Sequence, residues 1–142
     1  MKVQAATRSD TSSDEVLGAF HAYAAAFRAL DPRGVAASFA TPCLLLSPRG
    51  DVAASTSADV VKFYDGVMAE ARRVGYASTE LTLASRKIDR VTAAVTGSGA
   101  WLAADGRVLM RFEVTYLFRK VDGVWKIRVS EVRERPSEAL PS

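Results

Sequence analysis

Few side chains in this chain have both the type and the setting for chemistry: Tyr23, Ser47 and Glu131. A phenol hydroxyl such as that of Tyr23 can donate to a carbonyl oxygen and polarise it, or it can be a core tyrosine with its hydroxyl satisfied nearby. Ser47 lies at the end of an apolar run before Pro48 and offers a hydrogen bond; with no histidine beside it in sequence it is not an activated nucleophile. Glu131 shares the alternation parity of Trp125, Ile127 and Val129. An inward carboxylate there would be a base with a raised pKa, whereas one at the sheet rim would pair with Arg133. His21, the single histidine, is two residues from Tyr23 and so points elsewhere on a helix. Cys43, the single cysteine, begins an apolar run and reads as a small buried hydrophobe. Asp10, Asp14, Asp31 and Asp51 fall at caps and turns, so no paired-carboxylate or metal site is expected.

The elements that position these groups are legible from periodicity. Val16, Leu17, Phe20, Tyr23, Ala24, Phe27 and Leu30 recur at helical spacing, predicting a helix over 13–30 opened by a capping box of Ser12 and Glu15. Asp31-Pro32 stops it, and Pro32 opens a short helix through Val35, Ala36 and Phe39 that Thr41-Pro42 breaks. Cys43–Ser47 reads as a buried strand, and 48–51 as a turn. Ser57 caps a third helix whose inner face carries Val60, Phe63, Tyr64, Val67, Ala71 and Val74, with Gly75 just past its end.

From there the pattern is all strand, over 78–87, 91–103, 107–120 and 124–133. Met110, Phe112, Val114, Tyr116 and Phe118 share one face; Arg111, Glu113, Thr115 and Arg119 share the other. Asp105-Gly106 and Asp122-Gly123 mark hairpins in which both turn residues take positive φ. Segregated helices and antiparallel strands give an α+β fold, a curled sheet wrapped around about three N-terminal helices. Residues 1–12 and 134–142 read as loose ends around a domain over 13–133.

Composition narrows the function classes. With 142 residues, 49% hydrophobic and 25% charged, the chain can build one core without disulfides or metal. A net charge of +3, with acids among the bases, gives no stripe for nucleic acid. No apolar run approaches a membrane span or the core of a signal peptide, so a cytoplasmic protein is expected.

Three segments carry a family resemblance: Ala25 to Ala40, with a small-residue break between two helices; Thr115 to Ile127, with Asp122-Gly123-Val124-Trp125-Lys126-Ile127; and Val129-Ser130-Glu131-Val132. Together they resemble the nuclear transport factor 2-like, or SnoaL-like, superfamily of cone-shaped, cystatin-like folds. Laid without a gap from Ala22 to Gly50 against the ketosteroid isomerases of that superfamily, the chain has Tyr23 where they carry the tyrosine that donates to the substrate oxyanion. Ser47 falls where they carry the proton-moving aspartate, and Val114 near their neutral aspartic acid. Neither residue can take over that chemistry.

The resemblance implies a cone pocket, homodimerisation through the outer sheet face, and no cofactor. The reading is therefore a small apolar, oxygen-bearing ligand held by Tyr23 and Ser47, with Phe63, Trp101, Met110, Phe112, Val114 and Tyr116 as walls. Any catalysis, with Tyr23 and Glu131 as the acting groups, would be isomerisation, cyclisation or dehydration. The alternative is a non-catalytic homodimerising association module.

Overall fold

The computed structural model describes residues 11–135, with side chains from Glu15 onward. Helix α1 (Thr11–Arg28) is followed by α2 (Pro32–Ala36), strands β1 (Phe39–Leu46) and β2 (Val52–Ala54), and helix α3 (Ser57–Val74). Four long strands complete it: β3 (Tyr76–Asp89), β4 (Thr92–Ala103), β5 (Val108–Val121) and β6 (Val124–Arg135). They form one six-stranded sheet in the order β2-β1-β6-β5-β4-β3. Every pairing is antiparallel except β1 with β6. The α+β reading is correct. The expected loose ends lie mostly outside the described residues, although Thr11, Ser12, Glu134 and Arg135 belong to α1 and β6. The Ser12 cap concerns side chains outside the described ones.

The helices follow from their sequences. Val16, Phe20, Tyr23 and Phe27 recur every three or four residues, and all are buried against the sheet. Asp31 caps α2 by accepting from the Gly34 N–H at 3.1 Å. The cap of α3 is Thr56, one residue earlier than expected. Its hydroxyl accepts from the Asp59 N–H (3.2 Å), while the Asp59 carboxylate accepts from the Thr56 N–H (3.2 Å). The Ser55 N–H (3.0 Å) and the Thr56 N–H, both donating to the Asp59 carboxylate, hold it below its usual range. Gly75 closes α3 at φ 91°.

Two sequence expectations fail at strands. Thr41-Pro42 does not end a helix; it lies inside β1, which begins at Phe39. The 104–107 loop also departs from a two-residue turn. There Gly106 takes positive φ, whereas both Asp122 and Gly123 do so in the β5–β6 hairpin.

Strand β3 approaches β4 closely at two glycines. A β-carbon built on Gly97 would fall on the Thr82 carbonyl oxygen, and one on Gly99 on that of Glu80. The neighbouring strand β3 bends in over both positions, which only glycine leaves open.

A bulge sets the facing of β6. Phe118 pairs with Ile127 and Leu117 with Val129, so Arg128 is the extra residue. Its guanidinium donates to the Pro42 carbonyl at 2.9 Å. Past this point the parity inverts, so Ser130 turns inward and is buried.

Candidate functional site

A cavity of about 460 Å³ occupies the concave side of the sheet. Its walls come from α1 (Phe20, Tyr23, Phe27), α3 (Phe63, Tyr64, Val67) and the inner faces of β4 and β5. Exposed Pro48, Arg49 and Glu134 line its mouth. Phe63, Val67 and Val74, expected on the inner face of α3, are half-buried because they border this space instead of solid core. Met68 is fully buried and packs in the core.

The closed end is polar. The Tyr23 hydroxyl lies 2.9 Å from that of Tyr116 and 3.1 Å from that of Tyr64. Ser130 is buried beside this group as the register partner of Tyr116 across β5 and β6. Each phenol has one proton. Either hydroxyl of each pair can donate, so the three protons make two hydrogen bonds and leave one over within the chain. These hydroxyls are buried, a costly placement that mutual hydrogen bonding offsets.

Burial pushes all three phenols up from the usual tyrosine range, Tyr23 most clearly; its two neighbours add to the shift. They are neutral donors, not phenolates. A raised folded-state pKa contributes stability that is fully present below the ordinary tyrosine pKa near 10 and is lost as pH climbs through the folded value. The expected outcome is full stability up to about pH 10 and steep loss above it. Phenolate absorbance from these residues should rise only with unfolding. Free titration in the folded protein would contradict the hydroxyl chain.

Most of the sequence candidates are brought together. Tyr23, Phe63, Trp101, Met110, Phe112, Val114 and Tyr116 all line the cavity, and Tyr116 supplies a hydroxyl as well as a wall. Val114, which the resemblance sets near the isomerases' neutral acid, is buried and contributes hydrocarbon. Ser47 reaches the cavity edge, but its hydroxyl builds the 48–51 turn: it donates to the Gly50 carbonyl (3.0 Å) and accepts from the Arg49 N–H (3.1 Å).

Glu131 is not brought in. The Arg128 bulge puts it on the outer face, where its carboxylate accepts from Arg133 at 2.9 Å. The same inversion moves Ser130 and Val132 from the expected wet face to the cavity. His21 is exposed. Sequence reasoning missed Tyr64 and Ser130 at the closed end, and Arg49, Glu70, Thr79 and Glu134 elsewhere along the lining. For Tyr64 a signal existed, a phenol on the inner face of a helix whose hydroxyl must find a partner; for Ser130 the hidden bulge removed it.

With the geometry in place, comparison with known proteins decides the family. Residues 14–135 match the model of a family described as NTF2-like protein (DUF6841). The chain belongs to this NTF2-like family. No curated protein matches it. Among solved structures, a ketosteroid isomerase-like protein from Erwinia carotovora atroseptica is similar at 18% identity and TM-score 0.71, over 89% of this chain and 98% of that one. A protein of unknown function with a cystatin-like fold from Nostoc punctiforme is similar at 13% identity and TM-score 0.73, over 96% and 97%. A Xanthomonas campestris protein described as a calcium/calmodulin dependent protein kinase II association domain is similar at 18% identity and TM-score 0.71, over 96% and 97%. At these identities the likeness concerns the fold. Among the described residues there is no cluster of three metal-ligating side chains, and no helix long and apolar enough to cross a membrane.

Proposed function

We propose that this NTF2-like domain binds a small apolar molecule with a hydroxyl or carbonyl oxygen, the oxygen meeting the tyrosine hydroxyls and the hydrocarbon filling the aromatic walls. The observation that carries the reading is a ligand-sized cavity whose closed end gathers three phenols. Among the described lining residues the carboxylates are Glu70 and Glu134. Glu70 is ion-paired with Arg73, and Glu134 is exposed at the mouth. The closed end thus offers neutral hydroxyls, which suit orienting or polarising an oxygen. Proton abstraction by a carboxylate base there is not supported, which leaves binding as the primary role.

The test compares para-phenylphenol with para-methylbiphenyl, an isostere lacking the hydroxyl. The phenol is expected to bind about 2- to 12-fold more tightly, the worth of one neutral hydrogen bond. Whichever of Tyr23→Phe, Tyr64→Phe and Tyr116→Phe removes the spare proton should erase that preference. Preference unchanged in all three variants would sink the reading.

A specific observation favours the second reading, a homodimerising association module. Leu44, Val129 and Leu117 are register neighbours across β1, β6 and β5, and form an apolar row on the outer sheet face. Leu44 is 44% exposed. Glu113, Glu131, Arg133 and Arg135 form an ion-paired group beside it. Such a core with a polar surround fits a protein interface. Val129→Arg should turn a dimer into a monomer in sedimentation, and a wild-type monomer would end this reading.

A further inference from the structure

The mouth of the cavity carries a placed cation, and its meaning rests on the ligand-binding reading above. Arg49 sits in the 48–51 turn, which is held at several points. The Ser47 hydroxyl bridges the Arg49 N–H and the Gly50 carbonyl, and the Ser47 N–H donates to the Asp51 carboxylate at 3.3 Å. Pro48 restricts the backbone, and Gly50 takes φ 126°. The turn therefore holds the backbone from which Arg49 projects.

Across the mouth, α3 presents Gly66 and, one turn on, Glu70. The Arg49 guanidinium lies over Gly66, with Nη2 3.0 Å from where a β-carbon would stand, so a larger residue there would displace it. Glu70 is bonded through both oxygens to Arg73, at 2.6 and 2.9 Å. Among the described residues Arg49 has no carboxylate within ion-pair distance. Glu134 is the other charged group at the mouth outside an ion pair, on the exposed end of β6.

A guanidinium presents a fork of N–H donors that matches a carboxylate. We infer that Arg49 is a specificity residue that selects ligands with two polar ends, a hydroxyl or carbonyl for the tyrosine chain and a carboxylate for the mouth. The substrate class is then a small, apolar-bodied oxygenated carboxylic acid. A neutral molecule of the same shape fills the cavity but leaves the guanidinium to water.

The test uses p-coumarate and its uncharged amide, p-coumaramide, titrated calorimetrically into the full chain at pH 7.5 and low salt. Because Arg49 is exposed, the acid should bind about 3- to 10-fold more tightly than the amide. That preference should shrink as salt rises and vanish in Arg49→Gln. Equal binding of acid and amide by the wild type would overturn the role of Arg49 while leaving the cavity reading intact. A preference surviving in Arg49→Gln would overturn it too. Tighter binding of the amine p-hydroxycinnamylamine would assign the mouth to Glu134 and likewise overturn the proposal. If no probe binds, the ligand-binding reading falls with it.

Discussion

Tyr23→Phe is expected to lower the unfolding free energy by about 2 kcal/mol and the melting temperature by roughly 6–8 °C. The change removes one oxygen and almost no volume, so packing accounts for little of it. What is lost is the shared partner of two buried hydroxyls, those of Tyr64 and Tyr116 at 3.1 and 2.9 Å. Leaving a buried hydroxyl short of a partner costs more than the net worth of the bond that it made. A double-mutant cycle isolates the effect. Tyr23→Phe combined with Tyr116→Phe should cost less than the two singles added, with a coupling of about 1 kcal/mol, because both remove the same contact. Additive losses, or a neutral Tyr23→Phe, would mean that the three hydroxyls do not act as one chain.

A larger loss is expected from Gly97→Val, at least about 3 kcal/mol. The new side chain would meet the Thr82 carbonyl and the Leu83 backbone, neither of which can rotate away as a side-chain tip can. Relief requires β3 to swing off β4, which flattens the curl that encloses the cavity. Gly97 pairs with Val114, a cavity wall, so the damage reaches the site directly. Gly18→Ala is the control. That glycine is exposed on α1 with nothing near its would-be β-carbon, so alanine should stabilise by about 0.5–1 kcal/mol. Chemical denaturation of the two variants checks both signs; a tolerated valine at 97 would show that the bend is not enforced there.

Most of the fold was legible because its signals are local and repeated. The helical spacing from Val16 to Phe27 and the alternation from Met110 to Phe118 each fix a buried face without reference to the rest of the chain. The aromatic walls followed from that alternation. What escaped was set by single irregularities. A one-residue bulge at Arg128 inverted the facing of Ser130, Glu131 and Val132, and no residue type announces a bulge in a strand of mixed character. Parity counted from Trp125 therefore placed Glu131 inside. β2, three residues long, was too short to show a period. Ser47 was recognised as a polar group near the pocket, yet its role as the brace of the turn that carries Arg49 depends on contacts with Gly50 and Asp51 that spacing does not specify. The tyrosine chain joins α1, α3 and β5, over separations of 41 and 93 residues, and only the assembled fold brings those hydroxyls within bonding distance.

The cavity, with its phenolic end, is the proposed binding site. Its most direct test is an amide-resolved NMR titration of the full chain with para-phenylphenol. Saturable shifts concentrated at Tyr64, Trp101, Phe112 and Tyr116, moving toward the unliganded spectrum when para-methylbiphenyl replaces the phenol at equal concentration, are the predicted result. Shifts confined to the outer face around Leu44 and Val129, or no saturable response, would contradict it.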